Sequence, residues 1–302
     1  MPPAWHRMGD PRVERRGMPL VFVPTPLGNL RDITLRAMDA LRDCSLLVAE
    51  DSRVARKLLN ALALPGKEIW SYHEHNARGA TAGILERARG ELVAVVTDAG
   101  MPGISDPGSE LVAAAREAGV SVEVLPGPSA AVSAAVLAGF PIRRFIFEGF
   151  APRSSRERRE AFARSLQLAI PSVWYESPQR IRASLADLEA VDPGARVFLL
   201  REYTKRYEEQ LLGAPAEIAA KLADPVRGEI VFVVAPSIDA PTAAAPSADH
   251  LDAEIDALLQ SGQSVSAVAK TLARRGLGER RHIYARATLR KGLQRESPLG
   301  QR

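Results

Sequence analysis

The 302-residue sequence holds a single cysteine, Cys44. One thiol excludes a disulfide framework and a cysteine zinc site within the chain, and its neighbours Leu41, Leu46 and Leu47 mark it as a plain buried residue. No apolar run approaches the ~20 residues of a membrane span, and the first residues lack the apolar core of a signal peptide. A cytoplasmic protein with no membrane partner is therefore expected. No G-x-G-x-x-G follows the first apolar run and no G-x-x-x-x-G-K-[ST] occurs anywhere, which removes the main support for nicotinamide and phosphate-loop chemistry. Histidine is scarce, and its densest patch, His73-Glu74-His75, lacks the H-x-x-x-H helix or cysteine that would complete a ligand set, so no metal is expected.

What the sequence does contain is a series of short apolar runs, each stopped by polar residues or by Gly and Pro. Residues 92–108, LVAVVTDAGMPGISDPG, organise the rest. The run 92–96 reads as a buried parallel strand. Its loop carries Asp98, Gly100, Gly103, Ser105 and Asp106, and a helix follows from Ser109 with Leu111, Val112 and Ala115 on one face. Open α/β sheets bind ligands at such carboxyl ends. Strands are also predicted at 20–23, 46–49, 69–72 and 120–125, with a helix near Asp32 (Ile33, Ala37, Leu41) and another carrying Val54, Leu58 and Leu62. Polar or Gly/Pro loops follow them at 24–30, at Glu50-Asp51-Ser52-Arg53 and at 126–130. This alternation predicts an α/β unit with a mostly parallel sheet. Small residues dominate 130–139, so whatever packs there can approach closely.

The second half predicts strands at 145–150, 173–176, 196–200, 208–212 and 228–235 and a helix carrying Ile181, Leu185 and Leu188. The hairpin-type link 201–206 argues for a mixed second sheet. Residues 237–247, rich in Ala and Pro, read as a linker. Three amphipathic helices follow, resembling a helix-turn-helix module with Gly276 and Gly278 in its turn. The net charge is only +4, yet nine basic residues stand between Lys270 and Arg295 against Glu279 alone, a field suited to phosphates. A helical dimerisation tail is the alternative. The predicted division is a disordered lead-in 1–18, an α/β unit 19–127, a second unit 128–236, the linker 237–247 and the helical module 248–295.

The segments VPTPLGNLRDIT, AEDSR, VTDAGMPGISDPG, LPGPSAA, FEGFAPR, YESPQR and LLREYTKRYEE, in this order, closely resemble the ribosomal RNA small subunit methyltransferase I family of the tetrapyrrole methylase superfamily. The resemblance implies a two-domain tetrapyrrole-methylase-like α/β fold with S-adenosylmethionine in the cleft between the domains, a homodimer, and 2′-O-methylation of a cytidine in the decoding region of 16S rRNA in the small ribosomal subunit. One departure is Met101, where the family most often has Thr, which leaves only backbone contacts to a cofactor from that position.

Methyl transfer from a sulfonium is chiefly a matter of positioning. Pro26, Gly28, Asp98, Gly100, Gly103, Ser105, Ser129 and Tyr175 are the expected cofactor residues, with 175–178 (YESP) covering the cleft. A ribose hydroxyl must lose its proton during attack, so a general base is expected. Glu50, Asp51 and Glu202 are the leading candidates, with Asp106, Glu176, His73 and Lys205 behind them. Arg53, Arg153, Arg180, Arg201, Arg280 and Arg281 are expected to meet RNA phosphates, because guanidinium forks match phosphate oxygens. Two rival readings are a tetrapyrrole methyltransferase, which has no use for a basic helical tail, and a non-enzymatic RNA-binding assembly factor, which would bind no S-adenosylmethionine. A third, protein side-chain methylation, would use the same cleft.

Overall fold

The computed structural model describes residues 20–73, 76–105, 108–236, 248–274, 277 and 280–295. The expected lead-in 1–18 and linker 237–247 lie outside the described residues, as do Glu74, His75, Asp106, Gly276 and Gly278.

Strands β1 (Leu20–Phe22), β2 (Leu46–Ala49), β3 (Glu68–Ser71), β4 (Val93–Val96) and β5 (Val122–Val124) form an all-parallel sheet in the order β3-β2-β4-β1-β5. Successive side chains of a strand point to opposite faces, and here both faces are covered. Val21, Leu47, Ala94 and Val96 pack with Leu41 of α1 (Leu35–Asp43) and Leu59 of α2 (Ser52–Ala61). Leu20, Phe22, Leu46, Val48, Val93 and Val95 pack with Ile84 of α3 (Ala77–Ala88) and Leu111 of α4 (Gly108–Glu117). Burial on both sides is why these strands read as unbroken apolar runs. The first helix begins later than expected: Thr34 is its N-cap, accepting from Ala37 N at 3.1 Å, and Asp32 sits in a preceding 3-10 turn.

The second sheet is mixed, in the order β6-β7-β10-β8-β9, with strands β6 (Ile146–Phe150), β7 (Ser172–Glu176), β8 (Arg196–Arg201), β9 (Glu209–Gly213) and β10 (Ile230–Ala235). Only β6 and β7 run parallel; the other neighbours are antiparallel. On one face α5 (Ala130–Leu137) buries Ala131, Ala134 and Ala135 against Val173, Phe198, Val231 and Val233. Its alanines permit the close approach that the small-residue run predicted. On the other face α6 (Ser155–Gln167), α7 (Ile181–Val191) and α8 (Pro215–Lys221) close over Trp174, Leu199 and Phe232. Full burial of each such side chain stabilises the fold by about 1.5–3 kcal/mol. Helix α8 was not anticipated, although Pro215 at its start and Glu217, whose carboxylate accepts from Ala214 N at 3.2 Å, are ordinary start signals.

Helices α9 (Ala248–Gln260), α10 (Val265–Arg274) and α11 (Arg280–Arg295) share a core of Ile255, Val268, Leu272, Ile283 and Ala287. No helix among the described residues is long and apolar enough to cross a membrane.

Candidate active site

The strand order reverses around β1: the chain leaves it toward β2 on one side, then returns through β4 to β5 on the other. Loops from the carboxyl ends of β1, β2, β4 and β5 therefore diverge around a crevice, the usual ligand position in such sheets. The loops after β1 and β4 are tied together by Thr25 N to Gly100 O (2.9 Å) and Gly100 N to Thr25 O (3.0 Å). Gly100 holds φ +81°, a conformation that favours glycine.

The second sheet closes this crevice. A Cβ on Gly28 would lie 2.2 Å from Lys205 Cγ, so only glycine lets the first loop seat against the β8–β9 turn. Asn29 N donates to Thr204 Oγ1 across the same seam at 3.1 Å. The turn is built without glycine; Glu202 (φ 51°) and Thr204 (φ 63°) both adopt the left-handed region, a strain found at functional sites. The cavity at this seam, about 510 Å³, is open on one side and lies within the range of small-molecule sites.

Seven expected residues line it: Glu50, Asp98, Gly100, Ser105, Ser129, Tyr175 and Glu176. Tyr175 stands edge-on between Phe147 (5.0 Å between ring centroids) and Phe150 (5.5 Å). Pro26, Gly28 and Gly103 are not in the lining; Gly28 serves the seam, and Gly103, at φ +88°, packs backbone to backbone with Gly108 at the start of α4. Leu27, Thr97, Phe150, Tyr203 and Glu229 line the cavity although they were not singled out. Glu229 was discoverable, because it immediately precedes β10, whose first residue Ile230 registers with Arg201 at the end of β8.

The candidate bases differ in what holds them. Asp51 caps α2: it accepts from Arg53 N (2.8 Å) and pairs with the Arg53 guanidinium, which holds its carboxyl far below the usual range. Burial works against the charge of Glu202, but Lys205 Nζ (2.9 Å) and Glu229 N (3.0 Å) outweigh it and hold this carboxyl low as well. Glu176, also in the cavity lining, is buried and bound by Ser184 Oγ (2.6 Å), Ser177 N (2.8 Å) and Arg180 (2.5 Å). Glu50 stands apart. Burial first, then the neighbouring Asp98 carboxylate, push its carboxyl above the glutamate range, against one backbone N–H, that of Asp98. Asp98 is raised for the same leading reason, burial, and accepts from Asp51 N at 3.2 Å. Adjacent strands β2 and β4 thus present two carboxylates side by side.

The expected RNA-facing arginines also divide. Arg180 pairs with Glu176, and Arg201 pairs with Glu209 (2.8 Å) while donating to Arg227 O (3.1 Å). Arg53, paired with Asp51, is 81% exposed. Arg153, Arg280 and Arg281 are exposed. Within the tail, Arg286 binds Asp252, and Arg290 binds both Asp252 (2.7 Å) and Asp256. Among the described residues, Arg286 and Arg290 are therefore partnered inside the module.

A cavity with several carboxylates, the Gly100 backbone in its lining and apolar walls from Leu27, Ile104, Phe150 and Val231 fits a cationic nucleoside donor: the acids suit cationic and hydroxyl groups, the apolar walls a base. Comparison with known proteins agrees. The family Tetrapyrrole (Corrin/Porphyrin) Methylases matches residues 19–219. Ribosomal RNA small subunit methyltransferase I of Neisseria meningitidis serogroup A is 42% identical over 227 residues, covering 74% of this chain and 78% of the relative. The protein of that name from Streptococcus pyogenes serotype M1 is 35% identical over 273 residues, covering 88% and 93%. Among solved structures, diphthine synthase (TM-score 0.58, 16% identity, covering 72% of this chain and 89% of that one) and a cobalt precorrin-4 methyltransferase (0.55, 18%, 72% and 95%) share the fold. The chain belongs to the tetrapyrrole methylase family, among the ribosomal RNA small subunit methyltransferases I, and S-adenosylmethionine is its methyl donor.

Proposed function

We propose that the protein methylates the ribose 2′-hydroxyl of a cytidine in 16S ribosomal RNA, acting on the small ribosomal subunit as a homodimer. The observation that carries this reading is the Glu50–Asp98 pair facing one cavity at the seam of the two sheets, in a chain whose relatives bear the name of a small-subunit rRNA methyltransferase. S-adenosylmethionine supplies an electrophilic methyl group on a sulfonium. Asp98, Gly100, Ser105, Ser129 and Tyr175 hold this donor. Glu50 accepts the proton that the attacking hydroxyl loses, since it is the one candidate among the three leading acids that is not already held low by a cation. In this division of labour residues 19–127 and 128–236 form the cleft and residues 248–295 engage RNA.

The test is incubation of the purified protein with unmethylated small subunits and labelled S-adenosylmethionine, followed by mass mapping of the RNA. A single ribose methyl on a cytidine is expected. Methylation of a base, or none, overturns the reaction assigned; equal turnover on a short oligonucleotide overturns the requirement for the particle.

Asp98→Asn keeps the acceptor for Asp51 N but removes the charge. Loss of one charge-assisted hydrogen bond costs about 1.5–3 kcal/mol, so the dissociation constant for S-adenosylmethionine should rise roughly ten- to a hundredfold by calorimetry. An unchanged constant removes Asp98 from the donor site.

For the tail, the double variant Arg280→Ala/Arg281→Ala should leave donor binding intact and weaken RNA binding. Each phosphate contact contributes about 0.7–0.9 to the log–log salt slope, so the slope should become shallower by about 1.4–1.8. Arg286→Ala should instead lower the melting temperature of the module, because it strips Asp252 of a partner. An unchanged slope in the double variant would assign the tail to another role.

A further inference from the structure

A second cavity, of about 420 Å³, adjoins the donor cleft. Gly228 lines both; Glu202 and Arg227 face the second, Tyr203 and Glu229 the first. The wall between them is pinned by Glu202 N to Glu229 O (2.9 Å) and Glu229 N to Glu202 Oε1 (3.0 Å). Gly228 has φ +90°, and a Cβ there would lie 2.4 Å from Glu202 Cγ, so the partition stays thin only with glycine. Apolar atoms come from Ala223, Pro225 and Val226. At the rim Tyr207 is 65% exposed, with the Arg206 guanidinium 5.5 Å from its ring centre. Arg227 is exposed, and its side chain has no hydrogen bond or ion pair among the described residues, whereas Arg201 is committed to Glu209.

An exposed aromatic face, a cationic rim and an apolar floor are the means by which proteins hold unstacked bases of single-stranded RNA. The shared wall adds a constraint: an occupant here sits beside whatever reacts in the cleft, as successive units of one polymer would. We propose that this cavity receives the nucleobase next to the nucleotide being methylated, stacked on Tyr207, with its phosphate at Arg206 and Arg227. The proposal rests on the reading of RNA as the substrate.

The probe is a single-stranded oligoribonucleotide carrying 2-aminopurine beside the target cytidine, titrated by fluorescence into the full-length protein, with methyl transfer to small subunits measured in parallel. Wild type should quench the probe. Tyr207→Ala should abolish the quench and weaken binding at least about fivefold, and Tyr207→Phe should restore both. On subunits Tyr207→Ala should raise KM, leaving kcat and donor affinity unchanged; Arg227→Gln should raise KM with the quench retained. Absence of quench in wild type, full binding by Tyr207→Ala, or equal competition by a free nucleoside monophosphate overturns the subsite. The two readings fail separately. Methylation of subunits by Tyr207→Ala at wild-type efficiency sinks the subsite and leaves the activity standing, while a Tyr207-dependent quench without any methyl transfer supports the subsite and sinks the activity.

Discussion

Glu50→Gln is expected to lower kcat about 10²- to 10⁴-fold, the range a positioned general base contributes, and at the same time to make the donor-free protein more resistant to heat at neutral pH. The two effects have one origin. Burial and the Asp98 carboxylate raise the Glu50 carboxyl, so the folded form binds that proton more tightly than the unfolded chain does. Ionised Glu50 therefore costs stability above its raised folded value, and the cost disappears as the pH falls through that value. Glutamine removes it at neutral pH and changes nothing in acid. As the proposed base, Glu50 works in its ionised form, so the acid limb of kcat/KM should lie above the ordinary glutamate range of about 4.3. A pH–rate profile and melting curves at neutral and acid pH check all three. An activity loss below tenfold, or an acid limb unmoved in the glutamine variant, would assign the proton to another acceptor.

The other carboxylates behave oppositely, and this separates them from Glu50. Asp51 and Glu202 are held low by Arg53 and Lys205, so their contribution to stability is present above the ordinary carboxylate range and is lost on acidification. A base held far below the working pH carries little proton-transfer driving force. Their pairing suits them to structure: Asp51 starts α2 beside the cleft, and Glu202 ties the β8–β9 turn to the residue before β10.

The fold was legible where local physics decides it. Runs such as 46–49 and 92–96 announce strands buried on both faces, the stops after them place loops on one edge of a sheet, and the alanines of 130–139 foretell a helix lying close on its support. Sequence also identified which loops meet, but not which side chains in them would be free. That information lies in pairings distant along the chain. Glu176 looks like a base at a strand end until Ser184, on the following helix, donates to it. Arg286 and Arg290 look like phosphate ligands until α9 brings Asp252 and Asp256 against them. Gly28 looks like a ligand-binding glycine, yet its partner is Lys205 of the other sheet. Charge and position can be read from single residues; partnership cannot.

The largest expected loss of stability lies away from the cleft, at Asp187 on α7. Its side chain is 6% exposed and accepts from Ser155 Oγ (2.7 Å), Arg159 Nε (2.7 Å) and Arg158 Nε (2.8 Å). Burial opposes its charge; these donors together overcome it and hold the carboxyl below the usual range. Arg158, itself 5% exposed, spends its remaining nitrogen on Pro152 O (3.1 Å) and Arg153 O (3.2 Å). The cluster thus fixes the loop that presents Arg153. Asp187→Ala leaves a buried guanidinium without its counter-ion, which costs about 3–5 kcal/mol. At about 2–4 °C per kcal/mol for a body of this size, the melting temperature should fall by roughly 6–20 °C. Asp187→Leu combined with Arg158→Met should recover much of that loss, because replacing both partners removes the desolvation cost along with the attraction. The double variant should nonetheless show a raised KM for small subunits, since nothing then pins the carbonyls of Pro152 and Arg153. If Asp187→Ala costs less than about 1 kcal/mol, or the double variant melts no higher than the single one, the cluster does not hold this helix pair in the way its geometry implies.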